Sequence, residues 1–181
     1  MAEPSGVEWC SRFPGSASTG DLLPEFRGRV LAFVSAMERG GAHVIVTATW
    51  RPPRRAYLMH WCWMIANAGQ DPESVPPMAD VDIDWGHGGD HGSAKAAARA
   101  MAKTYDLEYP PALTSRHTQR RAIDMTIGWN NTLSIRDFDG HLRNITSEPR
   151  NGSNPVVIQV GASFGVVKLV SDPPHWSDDG H

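Results

Sequence analysis

The stretch SRHTQRRAIDMTI, residues 115–127, is where chain direction and candidate chemistry meet in this 181-residue sequence. Its second half, Ala122 to Ile127, is apolar and partly branched and reads as a β-strand. Its first half puts His117 seven residues before Asp124. Side chains alternate across a strand with period two, so seven has the wrong parity for one face of one strand. A turn through Thr118–Arg121 removes the conflict, because it returns the chain with both side chains directed at one place.

Working outward, the segments on either side of this stretch predict helices and short strands. Phe26, Val30, Phe33, Val34 and Met37 fall at helical spacing from Phe26 to Arg39, and Gly40-Gly41 stops the run. HVIVTAT, residues 43–49, reads as a buried strand. A largely buried helix follows from about Arg54 to Asn67, apolar on most sides. A short strand is expected near Val81–Trp85, a loop over Gly86–Gly92, and an alanine-rich helix over Ser93–Tyr105 with Ser93 as its N-cap. Asp139-Gly140 between residues 132–136 and 142–146 signals a hairpin. Pro155–Phe164 reads as a helix and Val166–Val170 as a strand. The expectation is a single α+β domain over 1–181, with helices packed on a small antiparallel sheet and an irregular Pro-, Gly- and Ser-rich arm over 1–24.

Bulk properties narrow the function. Apolar residues make up 40% and charged residues 20%, an ordinary globular composition. The net charge of −3 and the absence of a long basic run argue against nucleic acid, which needs a concentrated basic face. The short clusters at Arg51–Arg55 and Arg116–Arg121 read as solvated loops. No apolar stretch approaches the roughly 20 residues of a membrane span. The N-terminus has no basic start followed by an apolar core, so the expectation is a monomer made in the cytoplasm without a classical signal peptide. Two cysteines, Cys10 and Cys62, make no disulfide framework, and Cys62 between Trp61 and Trp63 reads as a buried thiol.

A second chemical segment lies near the end, Asp172-Pro173-Pro174-His175-Trp176. Two prolines forbid a helix interior, so Asp172 and His175 are expected on a stiff, extended segment that holds them at fixed separation. An aspartate before proline also starts turns, which is the plain structural alternative. A catalytic zinc takes three protein ligands from His, Cys and carboxylates and keeps one position open for water. Spacing alone does not show that the two segments meet.

The ordered pattern Ser-x-His-(x)6-Asp, with Ala122 two residues before Asp124, then Asp-x-x-His-aromatic, resembles the D-alanyl-D-alanine carboxypeptidase, dipeptidase and phage endolysin family of zinc peptidases. The elements are Ser115, His117, Ala122, Asp124, Asp172, His175 and Trp176, and the likeness extends to Thr47-Ala48-Thr49-Trp50-Arg51-Pro52, covering roughly residues 43–176. The resemblance implies a hedgehog-like zinc-peptidase fold with Zn2+ on His117, Asp124 and His175. It implies Asp172 as catalytic base, and Arg51 stabilising charge on the attacked carbonyl oxygen or holding a substrate carboxylate. Ser115 would bond the substrate or the loop, and Trp176 would help shape a substrate groove. The substrates implied are peptidoglycan stem peptides or other peptides containing D-amino acids, reached at the cell wall if the protein is delivered there. One departure is Arg120, where the family commonly has a glycine three residues after the first histidine ligand; it bears on loop shape and substrate fit and removes no ligand.

Other readings compete. A non-catalytic relative could bind wall peptide or glycan without cutting it, and seven tryptophans would suit an aromatic platform. A zinc-stabilised structural protein would use four protein ligands, often cysteine. Asp80–Gly86 resembles a calcium loop superficially, but Trp85 and His91 stand where glycine and a bidentate glutamate are needed, so a strand is the better reading. His87 and His91 read as loop residues; His43, His60, His141 and His181 have no partner pattern.

Overall fold

The computed structural model describes residues 2–181; Met1, the first residue of the expected arm, lies outside them. The chain is α+β. In order, its regular elements are β1 (Glu3–Pro4), α1 (Pro24–Arg39), β2 (His43–Ala48), α2 (Pro53–Asn67), β3 (Ile83–Asp84), α3 (His91–Thr104), β4 (Ala122–Gly128), β5 (Leu133–Arg136), β6 (Leu142–Ile145), α4 (Pro155–Ser163), β7 (Val167–Lys168) and β8 (His175–Ser177). They form two compact units, one from residues 2–14 and 51–114, the other from residues 15–50 and 115–181. No helix among the described residues is long and apolar enough to cross a membrane.

The first unit is built on α2 and α3. Leu58, Cys62 and Ile65 of α2 and Ala98, Met101 and Ala102 of α3 form its core with Tyr57, Val81 and Trp85. Trp9 and Cys10 also belong to that core, so the stretch expected as an irregular arm contributes buried side chains. The cap of α3 differs from expectation. Asp90, not Ser93, accepts the backbone N–H groups of Gly92 and Ser93, both at 3.1 Å, and the Ser93 hydroxyl donates to Asp90 Oδ2 at 2.6 Å. A carboxylate there satisfies two orphan amides and keeps the serine as a donor, so the helix starts two residues earlier, at His91. Asp84, in the segment that resembled a calcium loop, spends its carboxylate on the backbone N–H groups of Gly86, His87 and Gly88. Ile83 and Asp84 form β3, as the strand reading expected.

The second unit holds a four-stranded antiparallel sheet in the order β2-β4-β8-β7 and the β5–β6 hairpin. On β4, Ile123, Met125 and Ile127 face the core, while Asp124 and Thr126 point the other way. The core face is covered by Phe26, Val30, Phe33 and Met37 of α1, an i, i+4, i+7, i+11 stripe, together with Val157 and Val160 of α4. Trp176 of β8 sits at the centre with no exposed surface, its ring 5.4 Å from that of Phe33. The close approach requires Gly161 of α4, because a Cβ there would lie 2.6 Å from the Trp176 ring and 2.9 Å from the Val166 carbonyl. The groove role expected of Trp176 is therefore replaced by a core role: alternation along β8 sends residue 176 to the face opposite His175.

Phe33 carries much of this packing, also meeting Phe164 at 5.9 Å. Phe33→Ala leaves a cavity beneath Trp176 and is expected to lower stability by about 3–5 kcal/mol, read by urea denaturation of metal-free protein. A loss below about 1 kcal/mol would show that the ring is not central to the core.

Candidate metal centre

Three donor atoms converge on the face of the sheet opposite the core. His117 Nε2 lies 3.1 Å from Asp124 Oδ1 and 3.1 Å from His175 Nδ1, and His175 Nδ1 lies 3.2 Å from Asp124 Oδ1. Two of the three are placed by the sheet. Asp124 on β4 and His175 on β8 are directly paired across strands, so they share a face. His117 arrives by the turn that the seven-residue spacing requires. In that turn, the Ser115 carbonyl accepts from Gln119 N–H at 3.1 Å and the Arg116 carbonyl from Arg121 N–H at 2.8 Å. A bulge on β2 helps: Val46 and Ala48 pair with Met125 and Asp124, leaving Thr47 as an extra residue beside the site.

The outer nitrogens determine which atoms face inward. His117 Nδ1 meets the Thr49 carbonyl at 3.2 Å, and His175 Nε2 meets the backbone oxygen of His181 at 3.1 Å. Those oxygens only accept, so each of these nitrogens carries a proton and the other ring nitrogen presents its lone pair to the cluster. Two imidazole lone pairs and a carboxylate oxygen then point at one another, an arrangement that repels unless a cation or protons fill it. Tetrahedral zinc with bonds of about 2.0–2.1 Å spaces its ligand atoms by about 3.3 Å, close to the edges of this triangle. The residues fit a metal, and the carbonyls behind the two rings do the orienting expected of an outer ligand shell.

In the metal-free protein protons take the cation's place in the triangle, and the charges follow from that. Burial alone would raise the Asp124 carboxyl, but hydrogen bonds from His117 and His175, and then their charges, hold it well below the usual carboxylate range. Burial alone would lower His175; the hydrogen bond and charge of Asp124, with smaller help from the His181 oxygen and Asp172, push it above the usual imidazole value. Both rings are buried, whereas the Asp124 side chain is 20% exposed, so the site opens on its carboxylate side. Among the described residues the group has three members, leaving room for a further ligand from solvent.

The segments carrying the histidines are tied together. Arg116 pairs with Asp179, Arg121 Nη1 lies 2.9 Å from Asp178 Oδ2, and Asp178 N–H donates to the Arg121 carbonyl at 3.1 Å. Arg120 adopts φ 62°, the left-handed conformation that glycine takes most easily. Arginine therefore keeps the turn at a cost of about 1 kcal/mol. Its carbonyl accepts the Leu23 N–H at 3.0 Å, and its guanidinium lies over the Trp50 ring at 4.6 Å.

The remaining expected residues are placed as follows. Ser115 belongs to the turn: its N–H donates to Thr118 Oγ1 at 2.9 Å and its carbonyl accepts from the same hydroxyl at 2.8 Å. Asp172 is exposed and outside the donor triangle, but near enough for its charge to be felt at His175. Its segment is not extended as expected. His175 N–H donates to the Asp172 carbonyl at 3.1 Å, closing a turn with Pro173 second, where its fixed φ suits a turn start. Arg51 lies in the first unit, directly before the Pro52-Pro53 entry to α2. Cys10 and Cys62 are buried in that unit, and burial pushes the Cys62 thiol up to about 12, so it stays protonated.

A second cluster, Asp137, Asp139 and His141, lies at the hairpin turn of the second unit. Sequence reading left His141 without a partner because its companion Asp137 is placed only by the turn. The Asp137 carboxylate is already committed to the His141 N–H at 2.9 Å and to Arg143 at 3.2 Å. Its charge is thus answered within the hairpin.

The first cluster predicts one tightly bound divalent metal ion per chain, with His117→Ala and His175→Ala each losing it in a chelator competition assay. Full occupancy in either variant would disprove the ligand set. The metal-free protein gains most from the raised His175 and lowered Asp124 between their unfolded values, about 4 and about 6.5. The histidine contribution is lost as pH rises through its raised value, and the aspartate contribution as pH falls through its lowered one. A metal ion competes with those protons, so its affinity should climb with pH over the same window in which the metal-free protein loses stability. Thermal unfolding against pH, with and without added divalent metal, reads both trends.

Compared with known proteins, the chain matches no family model and no curated protein. Its candidate chemistry therefore rests on the triangle formed by His117, Asp124 and His175.

Proposed function

We propose that the protein is a zinc-dependent amide hydrolase of the peptidoglycan-peptidase kind, acting on stem peptides or other peptides containing D-amino acids. The observation that carries the metal is the inward-facing triangle of His117, Asp124 and His175 with its outer nitrogens bound to carbonyl-type acceptors. The substrate class is supported by the ordered motifs around those residues, together with a hedgehog-like arrangement as the fold reading. Neutral imidazoles with a carboxylate suit zinc better than calcium or magnesium, which take oxygen ligands.

Zinc held there supplies a Lewis acid that polarises a carbonyl and acidifies water. Asp172 is the carboxylate left over for proton transfer: exposed, not part of the triangle, and on the same turn as His175. In the proposed hydrolysis a water oxygen bonds to the scissile carbonyl carbon, and an Asp172 carboxylate oxygen accepts the water's proton. The C–N bond then breaks, and Asp172 returns that proton to the leaving nitrogen. His117 and His175 stay neutral throughout, their outer N–H groups engaged. Arg51 is assigned by the sequence pattern to charge on the carbonyl oxygen or to a substrate carboxylate. Action at the wall, after delivery by some route, follows from this reading.

A peptide-binding relative without catalysis is the alternative, favoured by the exposed position of Asp172 if that carboxylate moves no proton. Incubation with purified peptidoglycan fragments and mass spectrometry separates the two. The hydrolase gives products heavier in sum by one water, and chelation abolishes them until zinc is restored. Asp172→Ala is expected to keep zinc and lose about 10²–10⁴-fold in turnover. Arg51→Ala is expected to slow turnover by about 10²-fold with zinc affinity unchanged. Intact fragments under all metal conditions would leave the binding reading standing.

A further inference from the structure

Lys168 is a buried cation that no motif around the metal triangle accounts for. It lies on β7, opposite Trp176 of β8, and is 6% exposed. Its ammonium donates to three backbone carbonyls, Leu169 at 2.7 Å, Asp172 at 2.5 Å and His175 at 3.1 Å. An ammonium has three donors, so the set is complete without any carboxylate. Two of the acceptors, Leu169 and Asp172, belong to the 169–174 loop that joins β7 to β8, and the third, His175, is the first residue of β8.

The same segment has backbone ties of its own, including His175 N–H to the Asp172 carbonyl at 3.1 Å, and the ammonium adds a second donor to each of the three carbonyls. Leu169 N–H donates to the His175 carbonyl at 3.1 Å, Asp172 N–H to the Leu169 carbonyl at 3.2 Å, and Pro174 is held through its carbonyl by Met125 N–H at 2.8 Å. Pro173 and Pro174 have no N–H to contribute. Carbonyls gathered on the inside of so short a loop repel one another, and the ammonium offsets that repulsion from within. A buried charge is expensive unless fully hydrogen-bonded, so a lysine here has a stronger physical reason than packing alone.

Resting on the metal reading above, we propose that Lys168 is a positioning residue: its tripod of carbonyl bonds sets the 169–175 segment so that His175 Nδ1 faces the metal and Asp172 stands beside it. It touches neither substrate nor metal and acts through the backbone of the two residues that do.

The test compares zinc affinity, by chelator competition, in wild-type protein, Lys168→Met and Lys168→Arg, each checked for folding by circular dichroism. Methionine keeps the bulk and removes the donors. Lys168→Met is expected to weaken zinc by about 10–100-fold, the range seen when groups behind metal ligands are removed. Arginine keeps the charge, but its planar fork cannot match the tripod, so Lys168→Arg is expected to fall between the two. On any substrate that the wild type cleaves, kcat should drop more than KM rises, since the loop carries the base. A purely structural role would lower the melting temperature and leave the zinc affinity of the folded protein alone. Zinc affinity within about twofold of wild type in Lys168→Met, or in Lys168→Arg should the first variant not fold, would overturn the proposal. Wild type that binds zinc but cleaves nothing would instead sink the hydrolase reading, with the effect of Lys168 still legible in affinity.

Discussion

Two imidazole lone pairs and a carboxylate oxygen held 3.1–3.2 Å apart are mutually repulsive, and that repulsion explains most of what surrounds them. A protein that brings such atoms together must either fill the space between them with positive charge or hold them apart. Here the second unit holds them together. The sheet pairs Asp124 with His175, the turn over 115–121 delivers His117, and acceptor oxygens behind both rings prevent either from rotating its N–H inward. Proton competition and metal affinity are thus two expressions of one electrostatic fact.

The core on the other face of the sheet serves the same end. Ile123 and Met125 flank Asp124 in sequence and point into the core, so the carboxylate cannot swing away without lifting a buried strand. Trp176 does the same for His175 from β8, wedged against Phe33 and the bare backbone of Gly161. Rigid strands hold ligands more accurately than loops do. The less regular pieces, the 115–121 turn and the 169–174 loop, are restrained by Arg116 and Arg121 on one side and Lys168 on the other.

Much of the fold could be read locally. Helix α1 was legible because its apolar stripe repeats with the helical period and Gly40-Gly41 ends it, and the hairpin because Asp139-Gly140 suits a tight turn. The cap of α3 is not legible, because Asp90 and Ser93 are both good cap residues three positions apart and only the bonds actually made distinguish them. The 172–175 segment forms a turn rather than the expected extended chain because proline fixes φ without choosing between the two. Lys168 gives no sign of its role in the sequence, since a lone lysine within the strand expected over Val166–Val170 carries no motif, and its acceptors are backbone carbonyls that no residue type marks.

The sequence by itself determined which atoms were available and roughly where the chain must turn: a histidine and an aspartate seven apart demand a reversal, and side-chain period is a local property of the backbone. It also determined that the cysteines form no framework and that no long apolar span exists. Only the tertiary structure decided that His175 pairs across strands with Asp124, that the ring nitrogens face inward, that Trp176 is core, and that a buried ammonium organises the loop beside it. Most of these are contacts between residues far apart in the chain, and those of the ammonium depend on how its loop folds; their energies depend on distance in space, which spacing along the sequence does not carry.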